Sequence, residues 1–517
     1  MVLSSQHQSA IGFDTLPLEL QQEIFSYLDE DDASLFAVVQ ASKTWYHHCI
    51  RMLWRESTQK RLAKVPTSDR RQHYANLILD LDVDDDLSHK SCDELEFPSL
   101  KILRFVERSW PVSKLRRYLL AGLHALHYED CEPDEATLEM LKSCPNQVQA
   151  FEIMLPDSSN MSPDHFMSIL QSLPALRRLD LLNVNADIMD RVYAWRGDVV
   201  AQLEDLSISE CWEPVRDLDP RNKFLKHCTG LRKLELDRGD ELSADLLVHL
   251  FGLASLENLS LYHWIEDDVG RQLQERISDM TSSSRLFPCI KIMSLGGRKP
   301  AILPFLSSTL TTLVDLSLQI DDHGDSICPA IGRLTNLVYL RLYFNCDKRL
   351  SRTDLDSISG LSKLQLCWID RCGWGVISET STSVDCSWIT DLYFKSWIAK
   401  FPRLETLRLR FDNCALTQAS LQYIAKSCPL LSMCHLMWVH DLNTWRSLEA
   451  PLFPNLSILL LERVKGESYE KDQAMVDEQV LRDVNMIQDL APNLSFFRIH
   501  SSPPYEKAMM TIFRSRS

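Results

Sequence analysis

Three short groups of polar residues are the sequence's candidates for chemistry, and none has the full pattern its chemistry requires. The acidic run 80–86 has carboxylates for a calcium loop, but the glycine needed at the sixth place is missing and Ser91 stands at the twelfth. The tripeptide 324–326, Gly-Asp-Ser, lacks the glycine that follows a hydrolase nucleophile. His47 and His48 diverge on a helix, and no other ligand stands at metal-binding spacing. We therefore expect a solvated acidic linker, a surface turn and surface histidines, with no metal site.

Nucleotide chemistry also lacks its backbone requirements. Glycine accounts for only 15 of 517 residues, and neither GxGxxG nor GxxxxGK[ST] occurs. We expect no cofactor and no catalytic activity, so the sequence predicts a binding protein.

The charge balance narrows the class of partner. Fifty-five basic and 72 acidic residues give a net charge of -17, which repels nucleic-acid phosphates and anionic lipid. The apolar stretches are too short for a membrane span, and the first ten residues carry no secretory pattern. The 15 cysteines are odd in number and form no CxxC pair, which favours reduced thiols in the cytoplasm or nucleus. Neither nucleic acid nor a membrane is an expected partner.

The first 55 residues predict three short helices. Pro17 is suited to a first helical position, and Leu20, Ile24 and Leu28 then recur at helical spacing. The acidic run 29–32 ends this helix and caps a second one, and Ser42 caps a third. So small a unit cannot bury all of its apolar surface, so a partner is implied.

The order of residues in this segment resembles the F-box family across residues 13–55. The residues that carry the resemblance are Leu16-Pro17, Glu19, Ile24, Tyr27-Leu28, Leu35, Val38-Val39, Ser42, Trp45 and Leu53-Trp54. The resemblance implies docking on the Skp adaptor, which bridges to a cullin scaffold. The residues that it places against the adaptor are Leu16, Pro17, Leu20, Ile24, Leu28 and Val39. The other interpretation is that these residues form only the core of a helical cap on the rest of the chain.

A pattern L-x-x-L-x-L recurs at intervals of roughly 23 to 40 residues over most of the remaining chain. Clear copies begin at Leu176, Leu203, Leu231, Leu256, Leu313, Leu337, Leu404 and Leu456. Degenerate copies begin at Leu100, Leu123, Val148, Ile290, Leu364, Leu431 and Leu494. This repetition predicts an α/β fold, a leucine-rich-repeat solenoid over 97–502 with a parallel concave sheet and convex helices, shaped as a horseshoe. The irregular repeats resemble those of fungal F-box proteins.

The segments on either side of the array receive simpler predictions. Residues 56–96 are expected to form a helical and acidic linker between the F-box and the repeats. Residues 503–517 are expected to form a frayed C-terminal tail.

The concave face of such a sheet is the expected surface for a substrate. Early strands offer acidic side chains there, whereas later strands offer aromatic and basic ones. The predicted substrate-binding residues are Tyr339, Arg341, Tyr343, Trp368, Arg408, Arg410, His435 and Met437. Arg341, Trp368, Arg408 and His435 hold the same position in successive strands, so they should form one row. Paired arginines favour an acidic or phosphorylated peptide, and the alternative is that these are ordinary exposed side chains.

The sequence thus predicts a non-catalytic subunit of a Skp–cullin–F-box ubiquitin ligase. In this interpretation residues 13–55 recruit the ligase through the Skp adaptor and cullin, and the repeats select an unknown protein for ubiquitination and degradation. Two alternatives are an F-box binding module that acts outside the ligase and a plain protein-interaction scaffold.

Overall fold

The computed structural model of the chain separates into two compact units, Met1–Cys228 and Thr229–Ser517. The structure describes residues 20–21, 23–24, 32–83, 92, 94–106, 122–143, 147–209, 218–237, 242–279, 288–306, 311–321, 326–345, 348–371, 384–462, 464–465, 473–500 and 503–514. Within these residues no helix combines the length and the apolar character needed to cross a bilayer.

The first unit contains nine described helices and seven strands. Its helices are α1 (Asp32–Ala41), α2 (Lys43–Leu53), α3 (Gln59–Ala63), α4 (Ser68–Ala75), α5 (Glu135–Ser143), α6 (Pro163–Gln171), α7 (Ala186–Ala194), α8 (Asp198–Ala201) and α9 (Leu218–His227). Its strands are β1 (Glu56–Thr58), β2 (Asp80–Val83), β3 (Ile102–Val106), β4 (Ala125–Glu129), β5 (Ala150–Met154), β6 (Arg178–Leu182) and β7 (Asp205–Ser209).

These seven strands pair in chain order, and every pair is parallel. Leu103, Leu126 and Phe151 lie side by side in the register and are almost fully buried. Their alternate neighbours point to the opposite face, because successive side chains of a strand alternate. We call that opposite face, which carries Arg104, His127 and their equivalents, the open face of the sheet.

The second unit follows the same plan. Its helices are α10 (Ala244–Phe251), α11 (Asp267–Asp279), α12 (Lys299–Ile302), α13 (Cys328–Ile331), α14 (Arg352–Ile358), α15 (Asp391–Ile398), α16 (Ala419–Ser427), α17 (Leu442–Trp445), α18 (Gln473–Leu490) and α19 (Pro503–Arg514). Its strands are β8 (Lys233–Leu236), β9 (Asn258–Ile265), β10 (Ile292–Gly297), β11 (Asp315–Ile320), β12 (Tyr339–Phe344), β13 (Lys348–Arg349), β14 (Leu366–Arg371), β15 (Val384–Asp385), β16 (Thr406–Leu409), β17 (Met433–Leu436), β18 (His440–Asp441), β19 (Ile458–Glu462), β20 (Val464–Lys465) and β21 (Phe496–His500).

Ten of these strands form a parallel sheet in the order β8-β9-β10-β11-β12-β14-β16-β17-β19-β21. The short strands β13 with β15, and β18 with β20, form two separate parallel pairs. The buried face of the ten-stranded sheet is lined by one leucine-rich row, which includes Leu316, Leu340, Leu407 and Leu459.

The fifteen predicted repeats each coincide with a strand, from β3 to the last strand of the sheet, β21. The α/β prediction is confirmed: parallel strands alternate with helices in both units. Burial of the repeated leucines explains this outcome, since the two leucines spaced by one residue share the buried face of each strand.

The segment 56–96 departs from the prediction of a linker. Strands β1 and β2 lie within it, and β2 pairs with β3 as the start of the sheet. Asp80, predicted as part of a solvated acidic run, lies in β2 and is buried, with its carboxylate 2.7 Å from the guanidinium of Arg104. Ile78, Leu81 and Val83 have the spacing of a degenerate repeat and are buried, but the acidic residues around them led to the prediction of a linker.

The prediction of a frayed tail for 503–517 is wrong over residues 503–514. This segment forms helix α19, in which Met509 and Phe513 are buried. The Phe513 ring lies 5.7 Å from the ring of Phe497 on β21, so the helix covers the last strand of the sheet. Apolar residues at helical spacing within 503–514 are the physical reason.

Candidate functional site

The N-terminal helices bury a small apolar core. Helices α1 and α2 are joined at Ser42, and Leu35, Cys49, Ile50 and Leu53 are at most 5% exposed. These residues recur at helical spacing and therefore pack on one side of their helices. The predicted second and third helices are thus present in the structure.

Trp54 attaches this helical segment to the start of the sheet. Its indole stacks on the ring of Tyr74 in α4, with centroids 4.4 Å apart and planes inclined by 3°. The guanidinium of Arg61 in α3 lies 5.2 Å from the same indole. Trp54 is buried by these contacts, so it is structural and not available to a partner.

Among the described residues of this segment, three large apolar side chains remain outside the core. Leu20 is 45% exposed, Ile24 is 41% exposed and Phe36 is 54% exposed. Val39 is half-buried, while Leu16, Pro17 and Leu28 lie outside the described residues. Exposed apolar side chains concentrated in so short a segment mark an interaction surface. Phe36 was not among the predicted contact residues, although its position on α1 opposite the core signals exposure.

The predicted row on the second unit's sheet is present. The register pairs Arg341 on β12 with Trp368 on β14, Trp368 with Arg408 on β16, and Arg408 with His435 on β17. Tyr339 and Tyr343 lie on the same face as Arg341, because they are two residues away along one strand. The repeat backbone therefore gathers the predicted residues on one open face.

Trp368 lies between two guanidinium groups. The centres of the Arg341 and Arg408 guanidiniums are 5.6 Å and 5.2 Å from the indole centroid. The Tyr343 ring approaches the indole edge-on, with centroids 6.4 Å apart. Burial raises the pKa of the Tyr343 hydroxyl, and the neighbouring arginines oppose that rise. These aromatic and cationic groups hold one another in place.

Each arginine of this group is paired with a carboxylate of the same sheet. Arg341 donates to Asp315 at 2.8 Å, and Arg408 pairs with Asp370. Arg410 lies 3.8 Å from Asp370, 3.5 Å from Asp412 and 3.6 Å from Glu462. Three positive charges therefore face four negative ones. We call Asp315, Arg341, Asp370, Arg408, Arg410, Asp412 and Glu462 the charge network.

Three predicted contact residues are buried, which corrects the expectation that they face a partner. Arg410 is 5% exposed, His435 is 6% exposed and Met437 is 1% exposed. Arg410 contributes its guanidinium to the charge network and lies 3.5 Å from the Met437 sulfur. These side chains are therefore packed beside the half-buried residues of the row.

Comparison with known protein families identifies the N-terminal segment. The family model described as F-box-like matches residues 13–60. Residues 13–60 are an F-box-like domain. The match includes the helices α1 and α2, the apolar core and the exposed Leu20, Ile24 and Phe36. No curated protein matches the chain.

Solved structures give only distant likenesses. A chain of the yeast Rad7–Elc1 complex is 14% identical, with 93% of this chain and 91% of that one covered and a TM-score of 0.35. An internalin of Listeria monocytogenes is 13% identical over 86% and 94%, with a TM-score of 0.32. The leucine-rich-repeat ectodomain of the Arabidopsis thaliana receptor kinase GASSHO1/SCHENGEN3 is 13% identical over 75% and 52%, with a TM-score of 0.31. All three scores are below 0.5, so the repeat architecture rests on the strands and helices of this chain.

The carboxylates of the charge network are the functional residues that the sequence reasoning missed. Asp315, Asp370 and Glu462 each stand two residues along their strand from Ser317, Trp368 and Leu460. These three residues lie in the same register row as Arg341 and His435, so strand alternation alone places the carboxylates on the open face. Asp412 follows the end of β16, where alternation no longer applies. Among the described residues, no group of three His, Cys, Asp or Glu side chains could hold a metal ion.

Proposed function

We propose that the chain is the substrate-recognition subunit of a Skp–cullin–F-box ubiquitin ligase. In this proposal the F-box-like domain binds the Skp adaptor, which connects to a cullin, and the repeats bind the protein to be ubiquitinated. The chain itself contributes binding surfaces and no catalytic residue.

The observation that carries the proposal is the exposed apolar set of the F-box-like domain. Leu20, Ile24 and Phe36 project from helices whose own core is already filled by Leu35 and Leu53. Exposed apolar surface of this kind is stabilised by a partner's apolar surface. Leu16, Pro17, Leu28 and Val39 complete the proposed adaptor contact, as the resemblance to F-box proteins implies.

The open face of the second unit is the proposed substrate surface. Tyr339, Arg341, Tyr343, Trp368 and Arg408 are half-buried there and retain side-chain surface for a partner. Aromatic residues and arginine are the side chains enriched at binding hot spots. Arg410, His435 and Met437 are buried beside these residues and are not proposed as contacts.

The test is a co-purification of the tagged chain with the Skp adaptor and cullin. The Leu20→Asp, Ile24→Asp double variant should lose both proteins, because each substitution places a charge in an apolar contact. Gln40→Ala, an exposed polar change on α1, is the matched control and should retain both. Retention by the double variant, or failure of the folded wild-type chain to capture the adaptor, contradicts the proposal. Capture of the adaptor without cullin would place the protein outside the ligase.

A further inference from the structure

A row of four apolar side chains and one threonine crosses the open face beside the charge network. The register aligns Leu366 on β14, Thr406 on β16, Met433 on β17, Ile458 on β19 and Phe496 on β21. We call these five residues the apolar row. Phe496 is 43% exposed and the other four are half-buried. Adjacent strands are about 4.8 Å apart, so the row from β14 to β21 extends over roughly 19 Å.

A second apolar contribution lies next to this row. Leu460 on β19 pairs in register with His435 and is half-buried. Ile458 and Leu460 are two residues apart and therefore point to the same face. The apolar surface is thus two residues deep on β19 and continuous with the neighbouring strands.

The charges around this surface are already compensated. Arg341, Arg408 and Arg410 face the four carboxylates of the charge network, as described above. Arg498 on β21, which pairs in register with Leu460, lies 3.8 Å from Glu506 of α19. The surface therefore offers no excess of positive charge to an anion.

A phosphate would have to share these guanidiniums with carboxylates that already pair with them. Asp370 is 1% exposed and lies between Arg408 and Arg410. Removing its cations would leave a buried carboxylate without compensation, which is unfavourable in a low-dielectric environment. A phosphoserine brings a charge of about −1.5 to −2 next to the four carboxylates of the network.

We propose that the open face from β14 to β21 binds an uncharged, apolar segment of a partner protein and does not select phosphate. This proposal rests on the proposed function, because it names the substrate class of the same surface. The apolar row and Leu460 form the contact, and the charge network, whose arginines already pair with carboxylates, forms a polar rim. Such an arrangement, an apolar centre with a compensated rim, is the anatomy of a protein-binding hot spot. It also replaces the acidic or phosphorylated peptide expected from the arginines alone.

The test uses the purified full-length chain on an array of synthetic 12-residue peptides. One set contains Leu, Ile and Phe among Ser and Gln, and the matched set contains phosphoserine and Glu at the same positions. We expect the apolar set to bind at least ten-fold more tightly than the phosphorylated set. We also expect the Ile458→Glu, Phe496→Glu double variant to lose ten-fold or more of that binding.

The control variant is Leu392→Glu, which adds the same charge to a leucine of α15 that is 78% exposed. It should leave peptide binding unchanged. If the glutamate double variant fails to fold, Ile458→Thr with Phe496→Ser carries the test, since threonine is well suited to a strand. A five-fold or greater loss is expected from that milder pair.

Three results would overturn the inference. The first is tighter binding of the phosphorylated set, and the second is an equal loss of peptide binding in Leu392→Glu. The third is self-association of the chain that Ile458→Glu abolishes, because the apolar row would then bind a second copy of the chain. Adaptor capture separates this inference from the proposed function. Retained capture with no apolar preference contradicts the inference alone, and apolar preference without capture contradicts the ligase role alone.

Discussion

The open faces of the strands in the two units carry different side chains at equivalent register positions. In the first unit Asp82, Arg104, His127, Glu152 and Asp180 occupy one row and interact in water. In the second unit the equivalent row places Trp368 between Arg341 and Arg408, and Arg408 pairs with Asp370, which is 1% exposed.

This difference separates two uses of charge in one architecture. A half-exposed ladder of ion pairs contributes little to stability, because water and salt screen it. A buried network is costly to break, because its members cannot recover their hydration. We therefore expect charge substitutions in the exposed row of the first unit to be tolerated, and substitution of the buried Asp370 in the second unit to be harmful.

Neutralising one acid in each unit is the most sensitive test of whether the two networks differ in their contribution to stability. Asp370→Asn removes a carboxylate that is 1% exposed and serves two arginines, so it should lower the free energy of unfolding of the second unit by about 3 kcal/mol. Asp180→Asn, whose carboxylate is 3.8 Å from Arg178, should change that of the first unit by less than about 1 kcal/mol. Denaturant unfolding of both variants measures the two values. Equal losses would mean that burial does not distinguish the networks.

Strand alternation explains how much of this contrast the sequence could predict. The repeated leucines placed fifteen strands correctly, and the row of Arg341, Trp368, Arg408 and His435 followed from counting positions. The burial of individual residues on the open face could not be predicted by counting positions. His435 and Trp368 occupy equivalent positions, yet His435 is buried and Trp368 is half-buried, because the size of the neighbouring side chains decides how far water reaches.

The start and end of the repeats were harder to predict for a related reason. Asp80 belongs to an acidic stretch that resembles a linker, although Ile78, Leu81 and Val83 around it have the repeat spacing, and its partner Arg104 stands 24 residues later. Residues 503–514 were read as a tail because Pro503 and Pro504 usually end an element. Here they stand at the first positions of a helix, where proline is tolerated.

Acid titration should separate the two units by the pH at which each loses stability. His440 in the second unit is buried between the rings of Trp438 and Trp445, and burial lowers its pKa to about 4. Its unfolded form binds a proton near pH 6.5, so the free energy of unfolding should fall by up to about 3 kcal/mol between pH 6.5 and 4. Chemical unfolding across this range measures the effect, and His440→Phe should abolish it. A fall that persists unchanged in His440→Phe would contradict the assignment.

The first unit should respond in a more acidic window. The hydrogen bond from His127 lowers the pKa of Glu152 below its usual 4.5, so its stabilising contribution is complete above that value. It is lost as the pH falls through the lowered pKa. Glu152→Gln should flatten the first unit's response below pH 4.5 and leave the window of His440 unchanged. A Glu152→Gln effect above pH 5 would contradict this separation.

Trp368 tests whether the aromatic part of the second network contributes to stability. Trp368→Leu removes an indole that faces two guanidiniums, so the free energy of unfolding should fall by about 1–2 kcal/mol. A double-mutant cycle with Arg408→Met should give a coupling of about 0.5–1 kcal/mol. A coupling near zero would show that Arg408 is held by Asp370 alone.

The smallest expected effect belongs to Arg178 in the first unit. Its guanidinium lies 3.8 Å from both Glu152 and Asp180, and its side chain is 48% exposed. Arg178→Met should therefore change the free energy of unfolding by no more than about 0.5 kcal/mol, since water solvates all three groups once the pairs are broken. Raising the salt concentration from 0.1 M to 1 M should reduce even this difference, because the Debye length falls from about 10 Å to about 3 Å. If Arg178→Met lowered the free energy of unfolding as much as Asp370→Asn does, independently of salt, the exposed ion pairs of the first unit would be behaving as a buried network. The distinction between the two units would then be wrong.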